Sequence, residues 1–397
     1  MKRSFWYIFI PLIVLGLGFG AWHLSDEDAE IGASVSVAEA MGGGDLEGYK
    51  RATGPKEFEF PEDHAAHPGY KTEWWYYTGN LFTQEGRQFG YQFTIFRNQL
   101  NPTGTEKDSV QTDTGWSTDQ LYMGHFAISD VENEDHLFAE RYSRGAAGLA
   151  GARAEPYRIW LEDWEIVQVG SENATDKQFP VHIKASMEDG TAIDFHINPI
   201  KPLVLQGDKG YDRKGAEQGN ASYYLSFTRM DTEGIISKNG QKFEVSGLSW
   251  MDHEWSTSVL GEAQEGWDWF SIQLSNGYDL MYYQLHNDDG SISKFTTGSL
   301  ISSDGTKTTI DASDVTVEVV DRWESPHSKA MYPSSWKMDI PKYNLSLDVE
   351  TQFPDQEMDI SIRYYEGTVA VSGRMNGNEV DGNGFIEMTG YEEERSQ

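Results

Sequence analysis

Short runs of alternating apolar and polar residues recur along most of the chain, and this alternation restricts its fold more than any other feature. RQFGYQFTIFR (87–97), PVHIKASM (180–187) and YNLSLDVETQF (343–353) are examples, and Gly, Asn or Asp residues separate such runs. Side chains of a β-strand point alternately to its two faces, so this period predicts strands. Many short strands divided by turn residues are typical of a β-sandwich or barrel, and we predict an all-β, antiparallel fold.

The composition allows a large core and excludes several kinds of site. The 397 residues are 38% hydrophobic and 13% aromatic, which is sufficient for two packed domains. There is no cysteine, which excludes disulfides, thiol catalysis and cysteine-ligated zinc or iron–sulfur centres. The formal net charge of -33 repels phosphate backbones, so we predict no nucleic-acid partner.

The N-terminus has the pattern of an export signal. Lys2 and Arg3 precede an uncharged apolar run from Phe5 to Trp22. We predict that residues 1–24 are a signal peptide or a membrane anchor and that the Gly-, Ala- and Ser-rich residues 25–54 are a flexible tether. The protein is therefore expected to be exported, and to be periplasmic or secreted, or tethered to the inner membrane by this segment.

One aromatic motif occurs twice. WWYYTGNL (74–81) aligns without a gap with WDWFSIQL (267–274), and YQF (91–93) or YQL (283–285) follows after a glycine-containing turn. Convergence between aromatic hairpins is the alternative to true repetition. The repeat predicts two related β domains, which we assign to residues 55–228 and 229–397.

Aromatic side chains crowd both faces of the two repeated strands. A solvated sheet would instead present a charged face, so one face of each strand is expected to line a cavity. Indole and phenol rings interleaved with small polar groups suit a mainly apolar ligand, although the rings could simply fill the barrels. The candidate ligand-binding residues are Trp74, Tyr76, Trp267, Trp269, Tyr283 and His125.

The segment SWMDHEW (249–255) is the densest cluster of chemical groups. On a strand, His253 and Trp255 share one face, and Asp252 and Glu254 share the other. An imidazole beside an indole could deliver a proton and stabilise the resulting positive charge. A hydrogen-bonded core histidine is the alternative interpretation.

Asp279 lies in an otherwise apolar strand face with Met281 and Tyr283. Burial raises the pKa of a carboxyl group, which makes Asp279 a candidate general acid, and a structural ion pair is the alternative. The pair of histidines in DHAAH (63–67) has no third ligand nearby in the sequence, so we predict no metal site. The sequence contains no phosphate-binding loop, G-x-S-x-G elbow or H-E-x-x-H motif.

Several segments together resemble a known family. They are DHAAHPGYKTEWWYYTGNL (63–81), GHFAISD (124–130), LSWMDHEW (248–255), GWDWFSIQLSNG (266–277) and GNGFIEMTGY (382–391). They resemble the lipocalin-like family that contains the AttH proteins and the bacterial carotenoid 1,2-hydratases, often labelled secreted hydrolases. The resemblance covers about residues 55–393 and implies two lipocalin-like β-barrel domains in tandem. It also implies a hydro-lyase that adds water to a C=C bond without a cofactor.

The resemblance also implies roles for particular residues. The catalytic His-x-Trp of the hydratases corresponds to His253 and Trp255, and their Tyr and Asp correspond to Tyr278 and Asp279. In that assignment Asp279 is the acid, relayed through His253, and the Trp255 and Tyr278 rings line the cation. Asp252 orients the histidine.

These expectations combine into one prediction and two alternatives. The chain is predicted to be an exported double lipocalin, related to hydratases, that binds and hydrates a long apolar isoprenoid or lipid. An export signal differs from the cytoplasmic setting of carotenoid hydratases, which favours a substrate other than a carotenoid. The alternatives are a non-catalytic periplasmic carrier of such molecules and a secreted hydrolase.

Overall fold

The computed structural model describes residues 46–102, 118–169, 179–258, 260–261 and 263–391. The predicted signal segment and the predicted tether up to residue 45 lie outside these ranges. Within them, no helix combines the length and the hydrophobicity needed to cross a membrane. Short 3-10 helices cover Glu62–His64, Val131–Asn133, Ala312–Asp314 and Pro341–Tyr343.

The first sheet contains thirteen strands within the described residues, and neighbouring strands are antiparallel. Its strands are β1 (Thr72–Phe82), β2 (Gln88–Gln99), β3 (Gln120–Asp130), β4 (Asp135–Arg144), β5 (Ala150–Arg153), β6 (Arg158–Leu161), β7 (Trp164–Gln168), β8 (Val181–Ser186), β9 (Ala192–Pro199), β10 (Val204–Leu205), β11 (Tyr211–Arg213), β12 (Ala221–Lys238) and β13 (Gln241–Ser256). The order along the sheet is β4-β3-β2-β1-β13-β12-β9-β8-β7-β6-β5, and β10 and β11 pair with β12.

The second sheet contains ten strands within the same ranges, again antiparallel. Its strands are β14 (Gln264–Leu274), β15 (Asp279–Asn287), β16 (Thr297–Ile301), β17 (Lys307–Asp311), β18 (Thr316–Glu324), β19 (Met331–Ile340), β20 (Leu345–Thr351), β21 (Glu357–Met358), β22 (Tyr364–Met375) and β23 (Asn378–Met388). The order is β17-β16-β15-β14-β23-β22-β20-β19-β18, and β21 pairs with β22.

The two sheets share one topology. In each, the first strand lies between the second and the last strand, and the two edge strands are consecutive in the chain. A sheet whose edges are joined by a short connection curls back towards itself, as in a barrel. The prediction of an all-β fold with two lipocalin-like barrels is confirmed, and the shared order agrees with the internal repeat.

The division between the sheets differs from the predicted domain boundary at residue 228. That position lies inside β12, and the first sheet continues through β13 to Ser256. The second sheet begins at Gln264. The repeat covers only the first two strands of each copy, so most of the long hairpin that ends the first copy was assigned to the second. The segment SWMDHEW therefore belongs to the first sheet.

Side chains fill the interior of each curled sheet. On β1 the odd-numbered residues Trp75 and Tyr77 point inward and are fully buried in the first core. On β14 the even-numbered residues Phe270 and Ile272 are fully buried in the second core. The opposite faces of these strands, rich in aromatic rings, pack between the two sheets. The space for a ligand is therefore expected between the barrels, and not within either of them.

Candidate functional site

A chamber lies between the outer faces of the two sheets. Its walls combine aromatic rings with carboxyl groups and one lysine. The part of the chain up to β13 contributes Trp74, Tyr76, Phe96, His125, Lys214, Tyr224, Asp252 and Glu254. The part from β14 onward contributes Trp267, Trp269, Tyr283, Leu285, Ile362, Tyr364, Glu387 and Thr389.

Strand alternation explains which residues reach this chamber. On β13 the even-numbered side chains Asp252 and Glu254 face it, because they are opposite Tyr76 and Trp74 of β1 in the strand register. All six side chains assigned to ligand binding from the sequence lie in its walls. The structure therefore brings this group together, and its role in ligand binding stays a prediction.

Hydrogen bonds across the chamber hold the two sheets together. The Tyr76 hydroxyl donates to Glu366 Oε2 (2.8 Å), and Trp269 Nε1 donates to the Tyr224 hydroxyl (3.0 Å). The Tyr76 and Trp269 rings also meet edge to face, with centroids 5.3 Å apart. Because each bond connects one sheet with the other, the spacing of the walls is determined by specific contacts.

Asp252 is a buried carboxyl group with three hydrogen-bond donors. The Tyr224 hydroxyl donates to Oδ2 (2.6 Å), and the Ser226 hydroxyl (2.5 Å) and Trp250 Nε1 (2.8 Å) donate to Oδ1. Burial raises the pKa of Asp252 to about 7, although the three donors oppose this rise. A carboxylate at this position is well prepared to accept a further proton near neutral pH.

Glu387 and Glu366 are cross-strand neighbours on the opposite wall. Glu387 accepts a hydrogen bond from Trp267 Nε1 (2.8 Å). Burial raises the pKa of Glu387 to about 8, although this hydrogen bond opposes the rise. Burial and the neighbouring Glu387 hold the pKa of Glu366 well above its ordinary value. Both groups are therefore mainly protonated near neutral pH, and Glu387 presents its proton to the chamber.

Lys214 supplies a positive charge to the chamber wall. Its Nζ lies 2.7 Å from Asp212 Oδ2 and 3.4 Å from Glu254 Oε1. The same atom lies 4.2 Å from the centre of the Tyr283 ring. Burial alone would lower the pKa of Lys214, but the two carboxylates raise it above its ordinary value. The ammonium group thus balances the acidic side of the chamber.

His253 and Trp255 do not face this chamber. Alternation on β13 directs them to the other face, where His253 Nε2 lies 2.8 Å from Glu73 Oε1 and Trp255 stacks on His67 with centroids 3.7 Å apart. His253 and Trp255 share a strand face, as predicted, but this face lies opposite the chamber wall. Their catalytic role therefore stays a prediction that this chamber does not support. Asp252 is the predicted catalytic side chain that does line it.

Asp279 and Tyr278 also lie away from the chamber. Asp279 shares the strand face of Tyr283, as predicted, but at the far end of β15, about 13 Å away at strand spacing. There it is ion-paired with Lys201 Nζ (2.7 Å) and Arg229 Nη2 (2.7 Å). Tyr278 packs against the second core. Asp279 is therefore in the kind of ion pair that the sequence left as the alternative, and it does not line the chamber; its catalytic role stays a prediction.

Asp279→Asn is therefore expected to affect stability more than chemistry. The substitution would leave the buried Lys201 and Arg229 charges less well compensated, at a cost of about 2 kcal/mol in the free energy of unfolding. Urea unfolding measures that cost, and ligand affinity should change less than about twofold because the site is remote. A large loss of affinity in a folded Asp279→Asn protein would restore the original assignment.

A second buried cluster surrounds Glu73. Its Oε1 lies 2.6 Å from His67 Nδ1 and 2.8 Å from His253 Nε2, and its Oε2 accepts a hydrogen bond from Arg97 Nε (2.7 Å). The ligand atoms of His67, Glu73 and His253 lie close enough together to hold one metal ion. Arg97 and a protonated His67 already supply the positive charge that an ion would bring, since Glu73 and Asp63 raise the pKa of His67 despite its burial. We interpret the cluster as a charge network.

Several chamber residues could not be identified from the sequence. Lys214 lies in a glycine-rich segment between β11 and β12 that contains no recognisable motif. Glu254 lies on the same strand face as Asp252, as predicted, but the sequence assigns no role to it. Glu387 lies in the chamber wall, and its cross-strand neighbour Glu366 lies beside it; each is a single glutamate in a mostly apolar strand segment, and no motif marks either of them. The useful signal was Glu387 inside the GNGFIEMTGY segment. Its neighbour Glu366 lies on another strand, and the sequence alone does not determine how the two strands are aligned.

Comparison with known proteins adds to this geometry. A family model described as AttH-like matches residues 51–391. A crystal structure assigned to AttH from Nitrosomonas europaea is 30% identical in sequence. The superposition covers 86% of this chain and 99% of that chain, with a TM-score of 0.74.

Two more distant proteins are also similar. Kievitone hydratase from Nectria haematococca is 13% identical, and the alignment covers 86% of this chain and 98% of that one with a TM-score of 0.61, which supports the fold alone. The dehydratase asqC from Emericella nidulans is 22% identical over 199 residues, or 47% of this chain. The chain spans about half of that relative's length, 55%.

Proposed function

The chain belongs to the AttH-like family, and we propose that its inter-sheet chamber is an active site for acid-catalysed addition or removal of water at a C=C bond. The substrate is an apolar molecule such as an isoprenoid or lipid. The names of the two distant relatives, a hydratase and a dehydratase, are consistent with this reaction class. Proton and water are the only reagents that the reaction needs, so the chemistry calls for no cofactor.

The observation that carries the proposal is a pair of chamber carboxyl groups with different surroundings. Asp252 accepts three hydrogen bonds, which favour its ionised form, whereas the described contacts of Glu387 include one such donor. Donors stabilise the ionised form of a carboxyl group, so the group with more donors releases its proton more readily and the group with fewer donors keeps it. Glu387 is accordingly the acid, and Asp252 is the base.

The reaction balances with these two groups. In hydration, the Glu387 O–H bond breaks and its proton forms a C–H bond at one alkene carbon, leaving a carbocation at the other. A water oxygen bonds to that carbon and releases a proton to the Asp252 carboxylate. Dehydration is the reverse, with Asp252 protonating the leaving hydroxyl and Glu387 accepting the carbon-bound proton.

Aromatic faces stabilise the cationic intermediate. Trp74, Tyr76, Trp267 and Trp269 surround the chamber, and their ring faces attract positive charge. A site with few competing water molecules strengthens this attraction and limits side reactions. The mixture of rings and two acids thus suits a reaction that generates a cation from an apolar substrate.

Export completes the proposal. The basic and apolar N-terminus supports a periplasmic, secreted or inner-membrane-tethered protein. In any of these locations the protein would meet apolar molecules that leave or enter a membrane. Fusion of residues 1–54 to a reporter enzyme that is active only outside the cytoplasm tests this location.

The function is tested by extraction and turnover. The protein is purified from its host, its bound molecules are extracted and identified by mass spectrometry, and each is incubated with the protein in ¹⁸O-labelled water. Incorporation of one labelled oxygen, or loss of water from a hydroxylated molecule, supports the proposal. A bound apolar molecule that is recovered unchanged across a broad panel would instead support the carrier.

A further inference from the structure

A line of hydrogen-bonded side chains connects the chamber with the outer surface. The Tyr364 hydroxyl lies 2.5 Å from His125 Nδ1, and His125 Nε2 lies 3.1 Å from Glu140 Oε1. His125 and Glu140 are opposite one another in the pairing of β3 with β4, and Tyr364 comes from β22 of the other sheet. The line therefore crosses from one sheet to the next through a single imidazole.

The two ends of this line lie in different surroundings. Tyr364 lines the chamber and precedes Glu366 by two residues on the same face of β22, so the side chains are about 7 Å apart at strand spacing. The side chain of Glu140 is 16% exposed and lines an open surface groove beside Arg141 and Asp163. The inner end thus adjoins the protonated carboxyl pair, and the outer end reaches water.

The groups have protonation states that suit proton transfer. Burial lowers the pKa of His125, so its imidazole is neutral near pH 7. Burial alone would raise the pKa of Glu140, but hydrogen bonds from His125 and Ser361 lower it, and it is ionised. His125 Nε2–H therefore donates to the Glu140 carboxylate, and Nδ1 accepts from the Tyr364 hydroxyl.

We propose that Tyr364, His125 and Glu140 form a proton-exchange route between the carboxyl groups of the chamber and the solvent. In the outward direction, the Tyr364 proton moves to His125 Nδ1 while Nε2 releases its proton to Glu140, which passes it to bulk water. The Tyr364 oxygen regains a proton from Glu387 through water in the chamber. The imidazole stays neutral, but each outward transfer leaves its proton on Nδ1. Rotation of the ring returns this proton to the Nε2 position before the next outward transfer, and an inward transfer reverses the steps.

The route extends the proposed function and rests on it. Each hydration leaves Glu387 ionised and Asp252 protonated, so the starting state returns only when protons redistribute. Both groups face a chamber whose walls are mostly rings, whereas Glu140 contacts solvent. Tyr364 and Glu140 act here as relay groups, and His125, a candidate ligand-binding residue in the chamber wall, takes a relay role as well.

The test needs no substrate. Protonated carboxyl groups absorb in a separate infrared region, and the band that Glu387→Gln removes identifies Glu387. After the protein is transferred to D₂O, the shift of this band is followed with time. We expect Glu140→Gln and His125→Gln to slow the shift by about tenfold or more, because each interrupts one transfer.

Two matched variants serve as controls. His136→Gln alters another histidine, half-buried, which contacts Ser129, and Glu132→Gln alters an exposed glutamate near Arg87. Slower exchange in the two relay variants and unchanged exchange in the controls supports the route. If the Glu140→Gln protein exchanges as fast as the unchanged protein, the route is overturned. If His125→Gln does not fold, the result for Glu140→Gln decides by itself. Because no turnover is measured, either result is independent of whether the protein is a hydratase.

Discussion

Glu387→Gln is expected to lower kcat by about 10²–10⁴-fold, the usual contribution of a positioned general acid. Glutamine has nearly the same shape and retains an oxygen that can accept the Trp267 Nε1 hydrogen bond, but it has no transferable proton. Substrate affinity should therefore change little. The measurement is steady-state turnover of the molecule identified by labelled-water incubation, together with its dissociation constant.

A glutamate on the same strand provides the control for this variant. Glu379 lies on β23 with its side chain 87% exposed, and Glu379→Gln should leave both constants within about twofold. A Glu387→Gln protein that retains full turnover would remove Glu387 from the acid role. A parallel loss of affinity and turnover would indicate damage to the chamber and not to the chemistry.

Arg97→Met is expected to destabilise the protein by about 3–5 kcal/mol, because it leaves the buried Glu73 carboxylate without its guanidinium partner. Arg97 is fully buried. Besides Glu73, it donates to Gln120 Oε1 (2.7 Å) and to the backbone carbonyls of His67 (3.0 Å) and Tyr70 (3.1 Å). Four contacts are thus lost together, and chemical denaturation measures the effect.

The control for Arg97 is an arginine in a surface pair. Arg158 lies 2.8 Å from Glu165, and both side chains are about one-third exposed. Arg158→Met should cost at most about 1 kcal/mol. If the two variants unfold at the same denaturant concentration, the Glu73 cluster is not the stabilising charge network described above. A bound ion released on unfolding would then become the preferred interpretation of His67, Glu73 and His253.

The sequence predicted the fold well because local chemistry determines it. Alternation in segments such as RQFGYQFTIFR and the glycines between them dictate strands and turns, and the repeat of Trp74 at Trp267 indicated two equivalent sheets. The same alternation predicted the aromatic residues of the chamber. A strand with rings on both faces needs an apolar environment on each side, and these are the core of its own sheet and the chamber between the sheets.

The acid groups could not be predicted in the same way. Alternation shows that Asp252 and His253 point to opposite faces, but not which face lies against the second sheet. That choice depends on how β13 packs against the second sheet, where the Trp250 ring meets the Trp269 ring of β14 edge to face. Asp279 illustrates the same limit. Its strand face was predicted correctly, but it pairs with Arg229 of β12 and with Lys201 of the connection between β9 and β10, both distant in sequence.

The most direct test of the account is the protonation state of Glu387. An infrared titration compares the unchanged protein with Glu387→Gln and follows the difference band of the protonated carboxyl group. Since its surroundings raise the pKa to about 8, the band should be present at neutral pH and should disappear as the pH rises through about 8. If Glu387 is already ionised at about pH 6, as an exposed glutamate would be, the acid role and the chemistry proposed for the chamber are contradicted.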